Sequence, residues 1–226
     1  MPANEPQSNT AKISNEAGME IIYEDENVKV LDKPAGIDSE TIPGRAHRLD
    51  KDTSGVLIAA KNPKVLDFLQ TQFQERKTEK KYTALVVGHL KNEEGIIETL
   101  LGRSPNDRRK QKVFLPQEPG AQGKREAVTE YKVLETFKDY DLVEAKPRTG
   151  RKHQIRVHMA YLGHPIAGDK LYGFKNQPVP EGLERQFLHA SSLKIQLPGE
   201  EIKEFCSPLP KDLRTCLASL GRTLIR

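Results

Sequence analysis

His47-Arg48-Leu49-Asp50-Lys51-Asp52-Thr53-Ser54-Gly55 runs without a break into Val56-Leu57-Ile58-Ala59-Ala60. The first nine residues are charged and turn-forming; the next five are apolar and suit a buried strand. A loop feeding such a strand is anchored on one side and open on the other, so its polar atoms stand at the rim of a sheet. A reactive carboxylate placed there is held rigidly and still meets a ligand. Two plainer readings compete. Asp-x-Asp-x-Ser-Gly also opens a calcium loop, whose twelfth position must be a bidentate Glu. Counted from Asp50 that position is Lys61, which sets calcium aside. Asp-Thr-Ser-Gly alone is an ordinary polar turn, so the functional reading rests on the whole stretch together with blocks downstream.

Upstream, residues 1–18 are polar, rich in Asn, Ser, Glu and Pro, and lack periodicity, which reads as a flexible tail. Structure is expected from Met19, with short strands over Ile21–Tyr23 and Val28–Leu31 and a turn at Lys33-Pro34-Ala35-Gly36. Downstream, Asn62-Pro63 is an N-cap followed by proline at the first helical position. Leu66, Leu69 and Phe73 then recur at helical spacing, with Val65 and Phe68 widening the stripe, and the helix is expected to end near Arg76. Strands follow at 80–88 and 95–100. Gly102–Gly123 is a long basic segment with Pro and Gly, read as a mobile loop or hairpin with a brief strand at Lys112–Leu115. Val128–Lys138 and Tyr140–Lys146 read as an antiparallel pair. Ile155, Met159 and Leu162 place a helix over 152–162, stopped by Gly163 and Pro165. A strand at 188–193, another at 202–206 and a helix at 212–220 complete the chain. Short strands in succession with few helices predict an α+β fold, a mixed and mainly antiparallel sheet.

Composition narrows the function classes. Of 226 residues, 30% are charged and 6% aromatic, with no Trp, which is the profile of a well-charged globular chain. The net charge of +4 is mild, but it is unevenly spread. Arg103 to Arg125 holds seven Lys/Arg against two acids, and Lys146 to His158 holds five and no acid. Such tracts suit a polyanion, and a solvated surface is the competing reading. The expected phosphate contacts are Arg103, Arg108, Arg109, Lys110, Arg148 and Arg151, helped by the N-terminus of the 152–162 helix. His153, His158 and His164 do not stack on one helix face and have no carboxylate among them, so no metal is expected. Cys206 and Cys216 fit neither a zinc pattern nor a disulfide framework. The N-terminus lacks a signal-like apolar core and no run approaches membrane-spanning length, which makes the cytoplasm the default compartment.

The nine residues 47–55 resemble the signature of the RluA-like family of RNA pseudouridine synthases. Further blocks match in order: Asp32-Lys33-Pro34-Ala35-Gly36, Lys80-Lys81-Tyr82, Gly150-Arg151-Lys152-His153-Gln154-Ile155-Arg156-Val157-His158, His164–Asp169 with Tyr172-Gly173, Leu188-His189-Ala190 and Pro208-Leu209-Pro210. The resemblance spans roughly 19 to 220. One departure is a short connection, Ile37–Ala46, where the family carries a longer insert before the aspartate motif. The resemblance implies a single catalytic domain over 19–226 with a cleft across its sheet, acting as a monomer on uridine in a stem-loop of ribosomal or transfer RNA, without cofactor. It assigns Asp50, Tyr82 and Arg156 as the catalytic set, with His47, Arg48 and Ile155 on the substrate side.

Those roles make chemical sense. The isomerisation breaks the bond from ribose to a base nitrogen, turns the base and rejoins it through carbon. It needs an ionised carboxylate beside the sugar, either attacking the ribose carbon or removing a neighbouring sugar proton. Arg156 is expected to grip Asp50 with a bidentate guanidinium fork, and Tyr82 to stack on uracil and take part in proton transfer. Two rivals use part of this set. A non-catalytic RNA-binding protein shares the basic tracts but has no use for the three residues together. A nucleoside glycosidase usually needs a second acid, for which Asp52 is the candidate.

Overall fold

The computed structural model describes residues 18–199 and 202–221. The expected N-terminal tail, Gly18 apart, lies outside the described residues. In chain order the elements are β1 (Glu20–Glu24), β2 (Val28–Lys33), β3 (Ser54–Ala60), α1 (Pro63–Gln74), β4 (Glu79–Val87), β5 (Glu94–Arg103), β6 (Gln111–Phe114), β7 (Arg125–Thr136), β8 (Tyr140–Pro147), α2 (Gln154–Tyr161), β9 (Leu188–Gln196), β10 (Ile202–Cys206) and α3 (Lys211–Ser219). Among the described residues the strands form one ten-stranded sheet, ordered β1-β2-β3-β9-β4-β8-β7-β5-β6, with β10 paired to β9. Every ladder is antiparallel except a two-residue parallel contact, Ser54↔His189 and Gly55↔Ala190. The mixed, mainly antiparallel α+β architecture is therefore as the sequence predicts.

That brief parallel contact fixes the centre of the molecule. Gly55 has φ +117°, and a Cβ on it would fall 2.1 Å from the Ala190 carbonyl oxygen. Only glycine permits β3 and β9 to approach so closely at this point. The loop before β3 is thereby pinned at mid-sheet, between strands from both ends of the chain.

Burial explains the helices. In α1 the Asn62 side chain caps Val65 N–H, worth about 1 kcal/mol. Val65 and Leu69 are buried against Val56, Ile58, Leu193 and Ile195, with Leu66 and Phe73 packed at the margin. Phe68, expected in that stripe, stands 37% exposed. Helical spacing carries it to the edge of the face, and Gln72 takes the buried position, its Nε2 donating to the Gln196 carbonyl and its Oε1 accepting the Gln196 N–H. Around α2 burial is nearly continuous, from Gln154 to Met159. Ile155 and Met159 join a cluster with Leu85, Val143, Ile166 and Phe187. Helix α2 starts two residues later than expected because His153 adopts a left-handed conformation, φ 56°. The basic segment expected as a loop or hairpin is a hairpin: β6 pairs with β5 from Leu100↔Phe114 to Arg103↔Gln111.

Candidate active site

Residues His47–Asp50 and Thr53 of the 47–55 stretch reach a cleft of about 560 Å³ walled by β4, the start of α2 and the loop that precedes it. That volume accommodates a nucleotide-sized ligand. His47, Arg48, Asp50, Tyr82, Arg151, Ile155 and Arg156 all line it. Asp50 is the only acid among the described lining residues.

The loop carrying Asp50 is held at every carbonyl from 49 to 52. Leu49 O accepts from Ser39 Oγ, and the Asp50 carbonyl accepts from Thr53 N–H. The Lys51 carbonyl receives both Gly36 N–H and Lys33 Nζ. The Asp52 carbonyl receives Arg185 Nη1 at 3.0 Å. Lys33 is fully buried, and its ammonium also bonds the carbonyls of Pro34 and Ile37. Burial above all draws its pKa down to about 8. The short connection noted at Ile37–Ala46 places Ser39 under Leu49, whose N–H it also accepts. This network gives the carboxylate a rigid base.

Arg156 reaches Asp50 from α2, its Nη1 donating to Oδ2 at 2.9 Å. The fork itself grips a different acid. Arg156 Nε and Nη2 donate to Oδ2 and Oδ1 of Asp169 at 2.6 and 2.9 Å. The bidentate contact expected on Asp50 is thus made to Asp169, and Asp50 receives a single donor, Nη1. Asp169 has no exposed side-chain surface, and its Oδ1 also accepts the amides of Leu171 and Tyr172. Burial opposes its charge, but Arg156 and those amides hold its carboxyl below the usual range. Burial likewise opposes the Arg156 charge, yet the two aspartates keep its pKa above the ordinary value. Sequence reasoning quoted Asp169 inside a matching block without giving it a role; its position thirteen residues after Arg156 carries no local signal.

Tyr82 sits on β4, half-buried, and its hydroxyl has no partner among the described residues. Burial, and then the Asp50 charge, push the phenol above its usual pKa, so it is a neutral O–H at physiological pH. His153, also unassigned by the sequence, faces Asp50 with Nε2 3.8 Å from Oδ1. Burial, aided by Arg156, outweighs the pull of Asp50 and lowers its pKa to about 4. Tyr172 Oη accepts Gln111 N–H and lies 2.8 Å from His153 Nδ1. Where Tyr172 donates its proton to Nδ1, the neutral imidazole carries its own proton on Nε2, facing Asp50. Ring contacts complete the site: Arg156 lies over Tyr172, 5.1 Å from the centroid.

The remaining expected contacts are spread out. His47 packs on Phe73 and accepts Ile58 N–H at Nε2; burial, then Lys80, lowers its pKa to about 3. Arg48 is exposed and paired to Glu40 at 2.9 Å. Arg151 donates to the Glu126 carbonyl. Arg148 is exposed and paired to Glu130, outside the lining of the cleft. Arg103, Arg108, Arg109 and Lys110 lie at the tip of the β5–β6 hairpin, where Arg109 clasps Asp107. Arg109 borders a second cleft beyond Arg156, together with Asp52, Lys170 and Arg185. Asp52, the candidate second acid for a glycosidase, belongs to that other side.

Residues 23–161 match the RNA pseudouridylate synthase family. The chain is 40% identical over 222 residues to ribosomal large subunit pseudouridine synthase D of Borreliella burgdorferi, covering 84% of this chain and 65% of that protein. It is 37% identical to ribosomal large subunit pseudouridine synthase C of Vibrio cholerae, covering 96% and 75%. It spans 58% of an uncharacterized RNA pseudouridine synthase from Aquifex aeolicus, at 42% identity. Among solved structures, human RNA pseudouridylate synthase domain containing 1 superposes with a TM-score of 0.80 at 28% identity, covering 96% of this chain and 94% of that one. The matched residues include the Asp50 loop and the helix that supplies Arg156, and the chain belongs to the RNA pseudouridylate synthase family.

Proposed function

We propose that this protein converts uridine to pseudouridine at a defined position in structured RNA, with Asp50, Tyr82 and Arg156 as its catalytic residues. The observation that carries the reading is a lone carboxylate, ion-paired at 2.9 Å and set in an otherwise basic cleft. Asp50 Oδ2 is engaged by Arg156, which leaves Oδ1 toward the ribose of an everted nucleotide. As a nucleophile or as a base toward the sugar, it works from the same position. Tyr82 offers its ring to the uracil and a neutral hydroxyl to the proton movements of the base. The C1′–N1 bond breaks, C5 bonds to C1′, the hydrogen on C5 leaves as a proton, and N1 gains one, so nothing external is consumed.

Base extrusion costs a few kcal/mol and is least in loops and bulges, which favours a stem-loop substrate. Large-subunit ribosomal RNA is the first candidate, because relatives bear that name. His47, Arg48, Ile155 and Arg151 contact the target nucleotide and its neighbours in the cleft, while Arg103, Arg108, Arg109, Lys110 and Arg148 meet the flanking backbone. Residues 19–226 act as one catalytic domain, as a monomer in the cytoplasm. The absence of a second acid in the described lining argues against a glycosidase. The test is tritium release from [5-³H]uridine-labelled transcripts of ribosomal RNA, with transfer RNA alongside, followed by mapping of the modified position. Release without free uracil supports the isomerisation; free uracil, or no release from either RNA, refutes it.

A further inference from the structure

Three of the arginines that line the cleft are ion-paired. Arg48 pairs with Glu40, Arg76 with Glu126, and Arg156 with two aspartates. Arg125 and Lys152 also line the cleft but are exposed to water. Lys80 differs from both groups. It is half-buried in the cleft wall, and its ammonium has no hydrogen bond or ion pair with any described residue. A Cβ built on Gly150 would lie 4.0 Å from Lys80 Nζ, so the ammonium stands beside the loop before α2, on the side of Gly150 where a side chain would project. The charge nearest to it in effect is another cation, Arg151, with the imidazole of His47 also in range. Burial, and then Arg151, draw the Lys80 pKa down to about 8. Removing an ammonium from water without a counter-ion is unfavourable, and an anion bound between Lys80 and Arg151 relieves it.

We propose that Lys80 and Arg151 form a phosphodiester subsite that takes the RNA backbone phosphate next to the nucleotide whose base meets Tyr82. Lys80 and Tyr82 are two residues apart on β4, about 6.6 Å along the strand, within the reach of one nucleotide. The subsite rests on the reading of this cleft as the RNA site, and it adds to that reading a cation that the basic tracts of the sequence do not contain.

The test uses the full chain and two probes, the oligoribonucleotides U10 and C10, titrated over a range of salt concentrations. Lys80→Met weakens both by the same factor and lowers the slope of log affinity against log salt by about 0.7, the value for one lost phosphate contact on a single strand. Lys80→Arg restores the slope. Lys91→Met, on the exposed turn at the other end of β4, leaves it unchanged. Lys80→Gln serves as a second neutral variant, and each protein is checked for an unfolding midpoint no lower than that of wild type. An unchanged slope in both neutral variants overturns the proposal, as does a loss confined to U10, which would make Lys80 a base contact. Tritium release is scored separately. A wild-type protein that lacks release but shows the slope change loses the catalytic reading and keeps the subsite, whereas release with an unchanged slope does the reverse.

Discussion

Replacing Asp169 with Asn separates the carboxylate proposed to do the chemistry, Asp50, from the one that holds its arginine. Asp169 has no exposed side-chain surface, and Arg156 is 8% exposed, so their contact is a buried ion pair. Loss of one partner from such a pair costs about 3–5 kcal/mol. Asparagine keeps an acceptor for the amides of Leu171 and Tyr172, which places the expected loss near the lower end, about 3 kcal/mol. Its amide nitrogen would also oppose the Arg156 donors, releasing the guanidinium that aims Asp50. A displacement of about 1 Å at a reacting group lowers rate by about 10²-fold. Urea unfolding reads the first quantity, and single-turnover tritium release from labelled RNA reads the second. Because the Asp169 pKa is lowered in the fold, its stabilising contribution is present above the ordinary value of 3.8 and is lost as pH falls through the folded value. The Asn variant therefore shows a flatter acid limb of stability. Unfolding within about 0.5 kcal/mol of wild type, together with release within a few-fold, would show that Arg156 does not depend on Asp169.

Two other perturbations test the frame around the site. Gly55→Ala drives a Cβ into the Ala190 carbonyl at a φ of +117°, so a loss of about 3 kcal/mol or more is expected, read as a lowered unfolding midpoint; a midpoint at the wild-type value refutes the steric argument. His158 is fully buried between Thr99 and Thr129, and burial lowers its pKa from 6.5 to about 4. Its contribution to stability is complete above pH 6.5 and declines as pH falls toward 4, by on the order of 3 kcal/mol. Urea titrations at intervals over that range show the decline in wild type and a smaller one in His158→Gln; equal slopes would contradict it.

The aspartate loop and the strand after it were legible because turn chemistry and an apolar run are local signals. The cap at Asn62 and the stop at Gly163 were legible for the same reason. The place of Phe68 and the start of α2 were not: a polar residue, Gln72, holds the buried position beside Val65 and Leu69 while Phe68 stands at the edge of the stripe, and a left-handed His153 delays the helix. The order of strands was equally hidden: β9 enters between β3 and β4 from more than 100 residues away. Long-range polar contacts form the other unread class. Lys33 to Lys51, Arg185 to Asp52 and Arg156 to Asp169 join groups whose sequence spacing says nothing about their meeting. Counting charges located two basic tracts, but only the structure shows Arg148 paired at the surface with Glu130 and Arg109 with Asp107, while Lys80 lies in the cleft outside both tracts.

Tritium release from labelled ribosomal RNA by Asp50→Asn, with RNA binding and unfolding measured in parallel, tests the central claim most directly. Arg156 keeps its fork on Asp169 in this variant, so stability within about 1 kcal/mol of wild type, retained RNA binding and no detectable release are expected. Release at the wild-type rate would contradict the account, because the reaction would then proceed without the charge on which it depends.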